Sequence, residues 1–543
     1  MAKKENNDKP IEITLWDAAN KLRGSVEPAE YKHVVLSLIF LKFASDKFEN
    51  HRAKLISEGK EKYAEMPEFY NMENVFFLDE VSRWSYLIQN SKQPEIPLLI
   101  DSALHNIEKN NRSLKGALPD NYFSRLGLDI TKLASLLDTI NDIDTTKDPE
   151  NDLVGRVYEY FLSKFALAEG KGKGEFYTPK SIVNLIAEMI EPYKGIIYDP
   201  ACGSGGMFVQ SIKFIEAHNG SKREISIYGQ EYTNTTYKLA KMNLAIRGIA
   251  GNLGEKAADT FLDDQHKDLK ADFIMANPPF NQKDWRGDDE LIDDSRWQGY
   301  EVPPKSNANY GWILNMVAKL SENGVAGFIL ANGALSGGGD EYKIRQKLIE
   351  NDLVEAILVL PRNMFYTTDI SVTLWILNKN KKEQTKNVGT EERQYRDRTG
   401  EILFMDLRQQ GEPFEKKFIQ FSDEEIIKIS KTYHNWQLGA NNYSPQLPTN
   451  SPHVRENNDS SDSSNKIYKN IPEYCYSASY EEIEKNDFSL VPSKYIEFVN
   501  RDEQIDFDDK MNQLKTELKS LFVEEEKLKE EVKQVFENLG FKM

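Results

Sequence analysis

Asn277-Pro278-Pro279-Phe280 is the stretch whose residue types could do chemistry. The amide oxygen of Asn277 and the backbone carbonyl of Pro278 could accept both hydrogens of one amino group. Phe280 could lie flat against the ring that carries it. The set, with Pro279 closing the turn, suits a planar heterocycle with an exocyclic NH2, such as adenine. An amino nitrogen of that kind is a poor nucleophile, because its lone pair is delocalised into the ring. Accepting both N–H bonds helps to localise the lone pair toward an electrophile. Taken alone, the same four residues also read as a plain strand-ending turn, where Asn and Pro are common.

The elements around the motif narrow the choice. Phe273-Ile274-Met275-Ala276 reads as a short buried strand. Two successive prolines cannot continue a ladder, since neither has an N–H to donate. The strand therefore ends and presents Asn277 at its carboxyl tip, where ligands sit in open α/β sheets. Upstream, Ile196-Ile197-Tyr198 runs into Asp199-Pro200-Ala201-Cys202-Gly203-Ser204-Gly205-Gly206. Small residues at that turn let a ligand approach the backbone closely. The next strand, Ile225-Ser226-Ile227-Tyr228, ends in Gly229-Gln230-Glu231. An acidic residue there is placed to hold ribose hydroxyls. Together these features point to a nucleoside cofactor. Asp259 could bind an adenine amino group or be a surface carboxylate. In Glu175-Phe176-Tyr177-Thr178-Pro179-Lys180, Thr178 and Pro179 read as the N-cap and first turn of a helix over 180–191. Phe176 and Tyr177 either line a ligand pocket or are simply packed.

A dinucleotide fingerprint G-x-G-x-x-G is absent, so methyl transfer from S-adenosylmethionine fits better than hydride transfer. In-line positioning would supply much of the rate. No metal and no covalent intermediate are required. A duplex base must first be flipped out, and stacking on Phe280 would offset part of an unstacking cost of a few kcal/mol. Methylation of a cytosine ring carbon would need a thiol beside the acceptor. Cys202 lies in the cofactor loop and Cys475 far downstream, so neither is placed for that role.

From Gly195 the chain alternates strand and helix, which argues for an α/β fold with a doubly wound, mostly parallel sheet. The strands read over 354–360 and 371–377 are joined closely enough to be antiparallel, and 401–407 is a candidate edge strand. Residues 281–309 form a long polar insert with Trp285, Trp297 and Tyr300, either touching substrate, covering the site or solvated. The charged stretch 380–400 reads as exposed, and 441–466, rich in Asn, Ser, Pro and Asp, as mobile. Residues 11–148 read as helical, with Thr14 as an N-cap and a second helix near 30–48. At the other end Met511, Leu514, Leu518, Leu521, Leu528, Val532, Val535 and Leu539 keep a three-four spacing, broken at Glu525 and closed by Gly540. That seam wants a partner helix, or else folds back on the chain's own body. The domains implied are 1–150 (helical), 151–440 (methyltransferase), 441–470 (low complexity) and 471–543 (C-terminal).

Composition sets limits. A chain of 543 residues holds two or three domains. A formal charge of −18 does not suit unaided binding of a polyanion, so nucleic acid would require a local basic patch or a second chain. Two cysteines exclude a disulfide framework and a Cys-x-x-Cys metal pair, and suit a reducing, cytoplasmic setting. Residues 1–10 lack the apolar core of a signal peptide, and no apolar run is long enough to span a membrane.

These motifs carry a resemblance. Over nearly its full length the chain resembles the methylation (M) subunit of type I restriction-modification systems. Leu15-Trp16-Asp17-Ala18-Ala19-Asn20-Lys21-Leu22-Arg23-Gly24 is similar to the start of that family's helical N-terminal domain. Glu175-Phe176-Tyr177-Thr178-Pro179 is similar to its first cofactor-pocket motif, 199–206 to its S-adenosylmethionine loop, and Gly229-Gln230-Glu231 to its ribose motif. Asn277 to Phe280 resembles the amino-methyltransferase catalytic motif, and Asp487-Phe488-Ser489-Leu490-Val491-Pro492-Ser493-Lys494-Tyr495 the family's C-terminal signature. The Asn-Pro-Pro motif alone is shared with RNA and protein-glutamine methyltransferases; the combination is far more specific. A scaffold that binds cofactor without turnover is the remaining alternative, against which the intact Asn277 motif argues. The resemblance implies a Rossmann-like methyltransferase fold and adenine N6 methylation of double-stranded DNA. It also implies a separate specificity (S) subunit, an assembly of two M and one S chains, and restriction (R) subunits joined to it.

Overall fold

A computed structural model describes residues 11–20, 28–73, 75–143, 157, 160–161, 164, 178–365, 369–414, 418–439, 468–499 and 507–538. Met1–Ile496 form one compact unit and Glu497–Met543 a second.

The strands arise where apolar runs can be covered. In chain order they are β1 (Gly195–Asp199), β2 (Ile225–Gly229), β3 (Gly251–Asn252), β4 (Ala271–Ala276), β5 (Leu320–Ala331), β6 (Val354–Val359) and β7 (Val372–Asn378). The hairpin β8 (Gln384–Val388) and β9 (Glu391–Tyr395) follows, then β10 (Glu401–Asp406), the hairpin β11 (Glu412–Phe414) and β12 (Phe418–Gln420), and β13 (Cys475–Ser479). Among the described residues nine of these form one sheet in the order β13-β10-β6-β7-β5-β4-β1-β2-β3. Pairing is parallel throughout except where β7 meets β5 and β6, and β13 meets β10. The doubly wound, mostly parallel sheet expected from the alternation is therefore present. The 401–407 strand is not the edge: β13 lies outside it. Thirty-six polar and low-complexity residues separate β13 from the preceding helix, so local pattern did not mark it as part of the sheet.

Side chains alternate across this sheet, as the two-residue strand period requires. Met275, Ile329, Leu358 and Leu374 join one core with the helices Lys180–Ile190, Gly206–Ala217 and Asp423–Leu438. Ile274, Phe328, Ile357 and Trp375 join the other, with Asn309–Lys319 and Asp340–Glu350. β6 and β7 are buried along their whole length, as strands covered on both faces must be. A third core holds the N-terminal helices, including Pro28–Ser57, Ile96–Asn110 and Ile130–Asn141. The helix Asn234–Ile246 serves two cores: Leu239, Met242 and Ile246 pack into the N-terminal one, and Tyr237, Ala240 and Leu244 against the sheet. Thr14 is not an N-cap, because the first helix spans Ile11–Asn20 and places it mid-helix.

The charged stretch 380–400 is not a solvated face. Lys381, Arg393 and Arg398 within it are buried. Arg398 and Glu355 have side-chain exposures of 1% and 0% and pair at 2.9 Å. Glu355 also accepts from Asn378 Nδ2 and the Tyr433 hydroxyl. Burial opposes its ionisation, but Arg398 and these donors outweigh that and hold its carboxyl below the usual range. Replacing Arg398 with Met leaves that carboxylate uncompensated, and a loss of about 3–5 kcal/mol is expected in urea unfolding. Adding Glu355→Met to the same chain should recover most of it.

The second unit contains the helix Phe507–Asn538. Met511, Leu514, Leu518, Leu521, Leu528 and Val532 are each about half exposed. Leu539 and Gly540 lie outside the described residues.

Candidate active site

The strand order reverses between β1 and β4. From β1 the chain winds outward through β2 and β3, and from β4 it winds the other way through β5. A crevice at the carboxyl ends of strands is expected at such a switch point. Register pairs Ile197 with Phe273 and Tyr198 with Ile274. Carried forward, it sets Asp199 against Met275, two residues before Asn277. The two motifs therefore leave the sheet side by side.

The loop after β1 is built to leave its backbone bare. Gly203 and Gly205 adopt φ of 54° and 79°, in the left-handed region that favours glycine. A methyl group added at Gly203 or Gly206 would meet no described atom within 4 Å, so the backbone there faces open space. Gly205 precedes the helix Gly206–Ala217 as its N-cap, which turns that helix's first N–H groups toward the loop. Glu231 accepts from Gly203 N at 3.1 Å and from Thr233 N at 2.8 Å, tying the end of β2 to the loop. Asn243 donates to the Ser204 carbonyl at 2.7 Å. Asp259 accepts from Phe261 N and Leu262 N through Oδ1 and caps its own turn. Tyr232, 72% exposed, directly follows Glu231, and Leu262 is exposed beyond Asp259. Neither residue sits in a motif of the sequence.

Asp199 is 1% exposed, and its carboxyl accepts from Ala201 N at 3.0 Å. Burial is the main cause that pushes its carboxyl up to about 8, with Glu231 adding and the Ala201 N–H opposing. Cys202 is buried too; burial, then Asp199 and Glu231, push its thiol well above the usual range, which disfavours a nucleophilic thiolate.

At the tip of β4, Asn277 is 7% exposed. Its Nδ2 donates to Thr178 Oγ1 at 3.0 Å. Its Oδ1 is buried and has no hydrogen-bond partner among the described residues. A buried carbonyl left unpaired costs about 1–3 kcal/mol, so it calls for a missing donor. Phe280 is half-buried, and the buried ring of Phe365 meets it edge-on, 5.9 Å between centroids. Phe365 lies in the β6–β7 connection, and only the sheet order brings that connection to this end. The insert after the motif is anchored at its ends and on buried tryptophans, while much of its length stays exposed. Asn281 N donates to Asn309 Oδ1, and Asn309 Nδ2 returns to Asn281 Oδ1, which pins both of its ends. Trp285 and Trp297 are buried in it.

Thr178 is not an N-cap. The helix Lys180–Ile190 is preceded by Pro179 in extended geometry and has no side-chain cap. Lys180 opens that helix and is exposed. Glu175, Phe176 and Tyr177 lie outside the described residues.

Near the far end of the same helix, burial, followed by Glu191 and Asp423, pushes Glu188 up to about 8. His218 Nε2 lies 3.7 Å from it. His218 Nδ1, 2.7 Å from the Phe214 carbonyl, carries the proton that donates there. In the neutral ring Nε2 is then an acceptor, which suits a protonated Glu188. Between about pH 4.5 and 8 the folded state thus holds a proton that the unfolded state has lost, and stability falls as pH rises. Glu188→Gln should raise the urea midpoint at pH 8.5 and leave it nearly unchanged at pH 4.5. A one-unit shift already corresponds to about 1.4 kcal/mol.

The comparisons with known proteins meet this geometry. Residues 149–504 match the family model for the N-6 DNA methylase, and residues 11–141 that for the HsdM N-terminal domain. The chain belongs to the methylation subunits of type I restriction-modification systems. The HindI methylase subunit of Haemophilus influenzae is 41% identical over 454 residues, covering 82% of this chain and 92% of its own. The MjaIX methylase subunit of Methanocaldococcus jannaschii is 35% identical over 551 residues, covering 98% and 92%. The crystal structure of a type I methyltransferase subunit from Streptococcus thermophilus has a TM-score of 0.69 at 22% identity, covering 90% of this chain and 99% of that one. At that identity the likeness concerns the fold. This M subunit is thus a DNA methyltransferase whose N-6 methylase domain includes the loop after β1, the Asn277 tip of β4 and β13. Among its described residues no helix is long and apolar enough to cross a membrane.

Proposed function

We propose that this M subunit methylates the N6 amino group of a flipped-out adenine in double-stranded DNA, using S-adenosylmethionine. The observation that carries the reading is the buried, unpaired Oδ1 of Asn277 at the switch point, beside a glycine loop that faces open space. The residues present fit the cofactor. Gly203, Ser204, Gly205 and Gly206 leave backbone for close approach, and Glu231, tied to Gly203 N, is the carboxylate assigned on this reading to the ribose hydroxyls. Asp199 offers a buried carboxyl to a cationic ligand, Asp259 an acceptor to an adenine amino group, and Tyr232 with Leu262 an apolar wall. Pro179 and Lys180 border the cofactor from the helix side on this reading, and Glu175, Phe176 and Tyr177 are assigned to it by their motif alone. When bound, S-adenosylmethionine supplies a methyl group on a positively charged sulfur. Asn277 Oδ1 and the Pro278 carbonyl accept the two hydrogens of the substrate amino group and turn its lone pair toward the donor. Pro279 keeps the turn rigid, and Phe280, braced by Phe365, stacks on the extruded ring. Asn277 is the acceptor that orients; no group of the chain needs to remove a proton before transfer.

The net charge of −18 supports a partner that supplies the grip on DNA. On this reading a separate specificity subunit selects the site, two M chains join one S chain, and restriction subunits add to the complex, in the cytoplasm. The exposed seam of Phe507–Asn538 supports helix pairing with the specificity chain. Deleting 511–543 should then abolish co-purification with that chain. The deciding experiment is transfer of labelled methyl to duplex DNA with and without the co-encoded specificity chain, with the product nucleoside identified. N6-methyladenine formed only in its presence is expected. Label in RNA, in protein glutamine or on cytosine overturns the reading.

A further inference from the structure

We propose that Thr178 is a positioning residue for this chemistry: its hydroxyl takes an N–H of the Asn277 amide and holds the amide oxygen toward the acceptor's amino group. The inference rests on the proposed role of Asn277 in adenine methylation. By sequence Thr178 reads as a helix cap or a cofactor contact. The structure gives its hydroxyl another use. The helix it precedes has Pro179 as N-cap and no side-chain cap bond, and Thr178 Oγ1 instead meets Asn277 Nδ2 at 3.0 Å, across 99 residues of chain.

A primary amide has a donor end and an acceptor end, and a half-turn about its last bond exchanges them. The substrate amino group is a donor, so only the oxygen end is productive. In that orientation the nitrogen end points into the protein, where Asn277 is 7% exposed, and needs an acceptor of its own. Thr178 Oγ1 is the acceptor it has. Removing the hydroxyl strands a buried NH2 whenever the amide is correctly aimed, and the amide then drifts to orientations in which Oδ1 no longer meets the substrate. Loss of a buried partner of this kind corresponds to about a tenfold to hundredfold change in a population or rate. The loss falls on the step in which Oδ1 is used, and therefore on kcat.

The test uses the full chain with its co-encoded specificity chain and a duplex carrying the site found methylated in the host genome. Thr178→Val, Thr178→Ala and Thr178→Ser are compared by single-turnover transfer at saturating cofactor, by calorimetric titration with S-adenosylmethionine, and by thermal unfolding. Expected are Val and Ala variants at least about tenfold slower, with cofactor affinity within about twofold of wild type, and a Ser variant that keeps most of the rate. Ser and Ala differ only in the hydroxyl, so the contrast survives even if Val disturbs the fold. Equal rates for Ser and Ala overturn the proposal. So does a loss in the Ala variant that tracks weaker cofactor binding and disappears at saturation, which makes Thr178 a cofactor contact. If wild type itself places no label on adenine N6, the function proposed above fails, and this inference with it. If wild type does so and Thr178 proves indifferent, only the inference fails.

Discussion

Asn277→Ala is expected to slow methyl transfer to adenine by about 10²–10³-fold while S-adenosylmethionine binds within about twofold of its wild-type affinity. The two halves of that result have separate causes. The loop at Gly203 to Gly206 is held by Glu231, Asn243 and the backbone of Gln230, none of which depends on the Asn277 side chain. The acceptor, by contrast, loses a side-chain oxygen at the β4 tip that is buried, unpaired among the described residues and already oriented. A preorganised group of this kind acts where the amino nitrogen changes its bonding, so its loss falls on turnover. Asn277→Asp keeps an acceptor there and lets the Thr178 hydroxyl donate to it, and should fall between wild type and alanine. Single-turnover rates with labelled cofactor and calorimetric affinities measure both quantities. An alanine variant that keeps a tenth or more of the wild-type rate would remove Asn277 from the chemistry.

The second large effect is on cofactor binding and pH. In the free protein burial, and secondarily Glu231, keep the Asp199 carboxyl protonated up to about pH 8. A cationic ligand beside it favours the ionised form. Binding then releases the proton, and below pH 8 part of the binding free energy goes to that ionisation. Affinity for S-adenosylmethionine should accordingly rise by up to about tenfold per pH unit from pH 6 to 8 and level off above. Asp199→Asn preserves the acceptor for Ala201 N and removes the titration, so its affinity should lack that component. The ligand's own amino group titrates in both proteins, and the difference between them isolates Asp199. Titrations in two buffers of different ionisation enthalpy count the proton directly. A wild-type slope no steeper than that of the Asn variant would mean that Asp199 stays neutral against the ligand.

Much of this protein is settled locally. The end of β4 follows from two prolines that cannot donate to a ladder, and the bare backbone after β1 from glycines free to take positive φ. The position of Glu231 follows from an acid at a strand terminus, and the doubly wound sheet from alternating apolar runs. Each depends on residues within a few positions of one another, so the chain carries the information openly. What needed the tertiary structure concerns partners far apart in sequence. The hydroxyl of Thr178 has the local signature of a cap, yet its partner is Asn277. Arg398, Arg393 and Lys381 sit in a run that by charge belongs in water, yet Glu355 and Glu191 accompany the two arginines inside and a partly exposed Asp352 pairs with the buried Lys381. β13 is too short and too isolated to announce itself, yet it completes the sheet beside β10. Phe365 reaches Phe280 because β6 and β7 lie beyond β5 in the sheet. A side chain's alternatives are set by its own chemistry. Which alternative is realised depends on what the fold places within about 3 Å of it, and at that range a partner's distance along the chain has no bearing.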